Sequence, residues 1–108
     1  MATNVTDATF ENEVLQSGEP VLVDFWAEWC GPCNAVSPVL ERIVEERGDE
    51  LKLVKVNIDE EQGLAQRYGV QSIPLMILFK DGQPAGHAIG AMPKGMLERE
   101  LGLVEAEV

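Results

Sequence analysis

The sequence is short of the residues from which many functional sites are built. Its 108 residues include two cysteines and one histidine, His87. These three side chains cannot supply the four Cys or His ligands of a closed structural zinc site. Asn34, not histidine, follows the second cysteine, which argues against covalent haem attachment, and no glycine-rich phosphate-binding motif is present. The sequence therefore predicts no metal and no organic cofactor, and we expect His87 to be an exposed strand residue.

Positive charge is also scarce. Eight lysines and arginines stand against 19 aspartates and glutamates, so the net charge is −11. Nucleic acid and anionic membrane surfaces are polyanions, so neither is expected as a partner, whereas a basic partner is permitted. Most of the acidic residues fit a solvated surface that keeps the chain soluble.

Long hydrophobic runs and a leader are missing as well. No stretch approaches the roughly 18 apolar residues of a membrane span, and residues 1–7 lack the basic and apolar segments of a signal peptide. We expect one soluble, cytoplasmic domain over residues 1–108. Two cysteines are too few for a disulfide framework, so a lone C-x-x-C pair in such a chain indicates redox chemistry.

Alternating apolar and amphipathic segments predict an α/β fold. Strands are expected at residues 21–26, 51–57 and 75–79, with a further strand from Ala85 to Ile89 after an Asp-Gly hairpin turn. Helices are expected from about Thr6 to Gln16, over residues 32–47 with Pro38 inside, near residues 61–68 and from Pro93 to about Val104. A short strand near Val5 is possible. Strand–helix–strand crossovers and the closing hairpin together predict a mixed sheet with helices on both faces.

The two cysteines lie at the start of the second predicted helix, in the sequence Trp29-Cys30-Gly31-Pro32-Cys33. Positions i and i+3 of a helical turn share one face, so the pair can close into a disulfide with little backbone movement. An ordinary thiol is only about 3% ionised at pH 7, and a helix N-terminus favours the reactive thiolate. Cys30 is the better-placed nucleophile, and Cys33, one turn in and more buried, would resolve the mixed disulfide.

Asp24 interrupts an apolar strand that should be buried on both faces. A lone buried carboxylate is costly, and burial raises its pKa, which would let it accept the proton of the Cys33 thiol. Lys55, on the next predicted strand, is a candidate partner that tunes it. The alternative is a carboxylate at the surface end of the strand.

Three further features lie near the ends of the predicted strands. Pro74 restricts Ile73 to extended backbone and permits a cis peptide bond. The small residues Gly90 and Ala91 would leave room for a substrate backbone. Of Trp26 and Trp29, one is expected in the core and the other as a shield over the cysteines.

Taken with these features, an ordered series of motifs resembles the thioredoxin family across nearly the whole chain. The series comprises Val23-Asp24-Phe25-Trp26-Ala27, Trp29-Cys30-Gly31-Pro32-Cys33, Asn57-Ile58-Asp59, Tyr68-Gly69-Val70, Ser72-Ile73-Pro74, Phe79-Lys80-Asp81-Gly82 and Gly90-Ala91. The resemblance implies a thioredoxin fold, a monomer, and reduction of disulfides in protein substrates. It also implies re-reduction by a separate thioredoxin reductase, of which an NADPH-dependent flavoenzyme is the expected type.

The resemblance assigns roles to individual residues. It implies Cys30 as the attacking and Cys33 as the resolving cysteine, Asp24 as the buried acid, Lys55 as its neighbour and Pro74 as a cis-proline facing the pair. The implied substrate groove consists of Trp29, Gly31, Pro32, Ile73, Pro74, Gly90 and Ala91.

Two positions depart from the family pattern. Asn34 stands where a lysine is common, which removes a positive charge near the thiolates, and Leu75 stands where a threonine commonly follows the proline. Gly-Pro between the cysteines goes with reducing members of the family. The competing interpretations are an oxidase or isomerase of the same fold, and a binding module whose thiols are incidental.

Overall fold

The computed structural model describes residues 2–104 and centres on a five-stranded sheet in the order β1-β3-β2-β4-β5. Met1 and residues 105–108, which the expected domain includes, lie outside the described residues. The five strands are β1 (Thr3–Asn4), β2 (Val21–Trp26), β3 (Lys52–Asn57), β4 (Leu75–Lys80) and β5 (Gln83–Ile89). β1, β3 and β2 run parallel, and β4 and β5 are antiparallel to their neighbours. The predicted mixed sheet is therefore confirmed.

Strand alternation sends the side chains of β2 to two different cores. Val21, Val23 and Phe25 face a cluster completed by a short π-helical segment (Glu11–Leu15) and by α2 (Gln62–Arg67). Leu22 faces the other cluster, built with α1 (Gly31–Arg47) and α3 (Lys94–Leu101). Helices thus cover both faces of the sheet, as predicted.

The hairpin between β4 and β5 has the predicted turn. Lys80 pairs with Gln83, and the two residues between them, Asp81 and Gly82, have φ of +52° and +76°. Two successive positive φ angles are typical of the tight turn that matches the twist of a hairpin, which is why Asp-Gly suits it. The hairpin carries β5, and with it Gly90, back to the end of β4.

The first helix is shorter than the sequence predicts. Thr6 and Thr9 exchange hydrogen bonds, the backbone N–H of each donating to the other's hydroxyl at 2.9 and 3.3 Å. These reciprocal bonds form a capping box, and the backbone N–H of Phe10 donates to Thr6 O at 3.0 Å, so a helical turn starts at Thr6. The regular segment that follows is the five-residue π-helical segment.

α1 is the longest helix of residues 2–104 and continues through Pro38 to Arg47, followed by a 3₁₀ turn at Gly48–Glu50. It packs across the sheet with Val36, Leu40 and Ile43 facing β2 and β3. Within residues 2–104 every helix is too short or too polar to cross a bilayer. The position of α1 matters most for function, because its first turn holds both cysteines.

Candidate active site

Cys30 and Cys33 are joined by a disulfide, with their Cα atoms 5.3 Å apart. Cys30 is the N-cap of α1, and its Sγ accepts a hydrogen bond from the backbone N–H of Cys33 at 3.1 Å. A thiolate at Cys30 would accept the same N–H and lie at the positive end of the helix dipole, and both effects favour the ionised form. Pro32, in the first turn, leaves this arrangement intact because the first helical N–H groups have no partner within the helix.

The two cysteines are less different in burial than the sequence predicts. Cys30 is 4% and Cys33 2% exposed in this oxidised state. They form a small apolar cluster with Ala27, against which Trp26 and Ile73 pack. The two residues between them, Gly31 and Pro32, are exposed.

Asp24 lies directly behind this cluster and is completely buried. It pairs in register with Lys55 on β3 and with Met76 on β4. Neither carboxylate oxygen accepts a hydrogen bond from residues 2–104. Burial raises the pKa of the Asp24 carboxyl from 3.8 to about 7, and the positive charge of Lys55 opposes part of that rise. The buried interpretation of Asp24 therefore fits the structure better than the surface alternative.

The face of the sheet to which Asp24 points follows from its neighbours. Side chains two residues apart share a face of a strand, so Asp24 lies between Leu22, in the core beneath α1, and Trp26, against the cysteines. Lys55 also points toward α1, because its Nζ donates to Ser37 Oγ at 2.7 Å. Ser37 is one turn after Cys33, so Asp24 and Lys55 lie on the face of the sheet that the first turns of α1 cover.

Two loops complete the surface around the disulfide. The Ile73–Pro74 peptide bond is cis, and the backbone N–H of Gly90 donates to Pro74 O at 2.8 Å. Gly90 has φ of +93°, a conformation that glycine adopts readily. The structure thus brings the expected groove residues Ile73, Pro74 and Gly90 together, with Ala91 exposed beside them.

Trp29 is the exposed tryptophan, at 70%, and Trp26 is half-buried. The indole Nε1–H of Trp29 donates to Asp59 Oδ2 at 2.8 Å. Asp59 follows β3 in a turn in which its backbone N–H donates to Asn57 Oδ1 at 2.9 Å. This hydrogen bond limits rotation of the Trp29 indole, which precedes Cys30 in the chain.

Sequence reasoning assigned no role to Ser37 or Asp59. The signal for Ser37 was its position four residues after Cys33 on a predicted helix. The signal for Asp59 was its place just after a strand parallel to the one that leads to Trp29, since parallel strands end at the same edge of a sheet. The two departures from the family pattern differ in burial. Asn34 is exposed, whereas Leu75 is packed in the core.

No group of three or more His, Cys, Asp or Glu side chains within residues 2–104 could hold a metal ion. The site consists of a cysteine pair at a helix N-terminus, a buried carboxyl on the neighbouring strand and small residues at the surface. Such a site in a mixed sheet defines a dithiol–disulfide exchange protein.

Comparisons with known proteins agree. The thioredoxin family model matches residues 1–102. Thioredoxin 1 of Synechococcus elongatus is 52% identical over 101 residues, which cover 94% of each chain. The thioredoxin of Mycobacterium tuberculosis is 54% identical over 97 residues, 90% of this chain and 84% of its own, and that of Porphyra purpurea is 50% identical over 99 residues, 92% of each.

The chain belongs to the thioredoxin family. It is a thiol–disulfide oxidoreductase with protein-disulfide reductase activity, and its redox centre is the Cys30–Cys33 pair. Membership of the family implies disulfide-containing substrates and a reductase as partner.

Proposed function

We propose that Cys30 attacks the substrate disulfide and that Cys33 resolves the resulting mixed disulfide. The Cys30 thiolate forms a bond to one substrate sulfur, and the other substrate sulfur leaves as a thiolate. Cys33 then attacks Cys30 Sγ and releases the second substrate thiolate, so the substrate gains two electrons and the Cys30–Cys33 pair is oxidised. The observation that carries this assignment is the hydrogen bond from the Cys33 N–H to Cys30 Sγ at the head of α1.

Asp24 serves in this proposal as the acceptor of the Cys33 proton. A carboxyl with a pKa of about 7 is ionised in about half of the molecules at neutral pH, and its affinity for a proton suits general base catalysis. Lys55 is assigned as the charge that adjusts this affinity. Trp29, Gly31, Pro32, Ile73, Pro74, Gly90 and Ala91 are assigned as the substrate-binding surface.

The remaining assignments concern the partner and the setting of the reaction. We assign the source of electrons to an NADPH-dependent flavoenzyme reductase and the working form to a cytoplasmic monomer. The resemblance of the sequence motifs supports the first assignment and the monomer. The use of only two cysteines, spaced as a redox pair and not as a disulfide framework, supports the cytoplasm.

Trapping of substrates separates the roles of the two cysteines. In a Cys33→Ser variant the mixed disulfide on Cys30 cannot be resolved, so protein adducts that dithiothreitol releases should accumulate in a lysate. A Cys30→Ser variant is the matched control and should give far fewer adducts. Equal trapping by both variants, or none by either, would contradict the assignment.

Coupled turnover then tests the electron source. The chain, NADPH and a candidate flavoenzyme reductase are mixed with a protein disulfide, and NADPH consumption is followed. Consumption that depends on both proteins supports the proposal. Full activity of a Cys30→Ser, Cys33→Ser double variant would favour the binding-module interpretation, and a redox potential at or above that of glutathione would favour an oxidase or isomerase.

A further inference from the structure

Lys55 on β3 is hydrogen-bonded to a residue of α1, the helix whose first turn holds the cysteines. Its Nζ donates to Ser37 Oγ at 2.7 Å, and this is the one hydrogen bond that the ammonium makes to residues 2–104. The same ammonium lies 5.4 Å from the centre of the Trp26 ring. Lys55 therefore bridges β3 and α1 just behind the disulfide.

A competing location for the ammonium lies close by. A cleft of about 260 Å³ is lined by Lys55 together with Trp26 and three acidic residues, Glu28, Glu60 and Glu61. Glu28 and Glu60 are exposed, and one oxygen of Glu61 accepts the backbone N–H of Asp7 at 2.9 Å. An ammonium is a mobile point charge on a flexible stem, so these carboxylates would attract it in the absence of another partner.

We propose that Ser37 is a positioning residue that binds the Lys55 ammonium on the α1 side, beside Asp24, in competition with the carboxylates of this acidic cleft. The inference rests on the proposed role of Asp24 as proton acceptor. Its consequence is that one hydroxyl on α1 sets the pH at which Asp24 exchanges its proton, without touching Asp24, either cysteine or the substrate.

The chemistry of a hydroxyl suits this position. A serine oxygen has two acceptor sites and one donor hydrogen. The Ser37 hydroxyl lies within 3.5 Å of Glu41 Oε2, one turn further along α1, and donates toward it. Its lone pairs are then free to accept from Lys55, and the Glu41 charge strengthens that acceptance.

Among the neighbours of Asp24, Lys55 carries the charge that lowers the pKa of its carboxyl. The register partners of Asp24 are Lys55 on β3 and the uncharged Met76 on β4, and Lys55 in turn binds Ser37 on α1. Displacement of the Lys55 ammonium would remove the positive charge that lowers the pKa of Asp24, so that pKa would rise further.

The test is a pH titration of the Asp24 carboxyl carbon by NMR in the oxidised protein, in which the cysteines do not titrate. Ser37→Ala should raise the midpoint by roughly half a pH unit or more, the order expected when an opposite charge moves away. Ser37→Thr, which keeps the hydroxyl, should restore it. Ser17→Ala deletes a hydroxyl in the loop before β2 that is hydrogen-bonded to the Glu19 backbone, and it should leave the midpoint unchanged.

A Lys55→Gln background separates the proposal from general loosening of α1. Lys55→Gln should raise the midpoint at least as much as Ser37→Ala does, and Ser37→Ala should add nothing once Lys55 is gone. A midpoint in Ser37→Ala that is unchanged or lowered would overturn the proposal. So would an equal shift in the presence and absence of Lys55.

Turnover separates this inference from the proposed function. The pH profile of protein-disulfide reduction should shift in Ser37→Ala by the same amount as the carboxyl midpoint. Asp24→Asn should abolish the pH dependence that arises from titration of this carboxyl. If Asp24→Asn keeps the wild-type profile, the role of Asp24 in proton transfer is wrong, whereas the positioning of Lys55 by Ser37 is still decided by the carboxyl titration.

Discussion

Asp24 and Lys55 lie side by side on the two central parallel strands, yet the ammonium binds Ser37 and the carboxylate accepts no hydrogen bond from residues 2–104. A buried carboxylate without such bonds is costly to ionise. The chain therefore carries, directly behind its disulfide, a group that prefers to keep its proton up to about neutral pH.

The first prediction concerns stability and pH. A carboxyl with a higher pKa in the folded than in the unfolded chain binds its proton more tightly when folded, so the free energy of unfolding falls as the pH rises from about 4 to 7. Asp24→Asn removes this loss and should stabilise the oxidised protein at pH 8 by up to about 4 kcal/mol, with little gain near pH 4. Denaturant unfolding at a series of pH values measures it.

An exposed carboxyl supplies the control for that experiment. Asp49→Asn should change the free energy of unfolding by less than about 0.5 kcal/mol at each pH. A stability gain from Asp24→Asn that is the same at pH 4 and pH 8 would show that burial of the charge is not its cause.

The second prediction concerns the exposed indole. Asp59→Ala removes the acceptor of the Trp29 Nε1–H, so the indole should move more freely and kcat/KM for a protein disulfide should fall about threefold to tenfold. Asp59→Asn keeps an acceptor oxygen and should retain most of the activity. Trp29 is one of two tryptophans, so fluorescence anisotropy is best read in a Trp26→Phe background.

Glu60, the residue after Asp59, provides a control for the loss of a negative charge at this surface. Glu60→Gln removes one exposed negative charge next to Asp59. If it lowers kcat/KM as much as Asp59→Ala does, the effect arises from surface charge and not from the indole.

The third prediction compares two glycines. A Cβ at Gly86 on β5 would collide with the backbone carbonyl of Leu101 at the end of α3, whereas a Cβ at Gly95 meets only the Arg99 side chain, at 3.7 Å. Gly86→Ala should cost about 1–3 kcal/mol because backbone must move. Gly95→Ala lies within α3 and should be neutral or stabilising by up to about 1 kcal/mol. Thermal unfolding distinguishes them, and equal melting temperatures would contradict the close packing of α3 on β5.

The fourth prediction concerns the two departures from the family pattern. Asn34→Lys adds a positive charge on the exposed side of the first turn of α1, which should favour the Cys30 thiolate and raise the rate of disulfide reduction several-fold at low salt. A rate increase that persists in 1 M salt would contradict this role of the added charge.

The second departure from the family pattern lies in the core. Leu75 is 8% exposed, so Leu75→Thr buries a hydroxyl and should cost about 2 kcal/mol of stability. Unchanged denaturant unfolding of Leu75→Thr would contradict this prediction.

Several features could be predicted from the sequence because their causes are local. The strand at residues 21–26, the Asp81-Gly82 turn and the placement of both cysteines on the first turn of α1 follow from apolar runs, turn chemistry and helical spacing. The predicted helix from about Thr6 to Gln16 was too long. Its first residues form a single turn that the Thr6–Thr9 bonds cap, and Asp7 Oδ1 accepts the backbone N–H of Leu64 from a distant part of the chain.

The sequence by itself determined the redox pair and the order of the elements, and it favoured a buried Asp24, which the structure confirms. Only the tertiary structure decided what Lys55 binds and what orients Trp29. Both contacts, to Ser37 and to Asp59, depend on which strand lies beside β2 and on how α1 turns about its axis above the sheet. Periodicity specifies the face of a strand or helix that is buried, but contacts between polar groups far apart in sequence form only when packing sets their distances and directions.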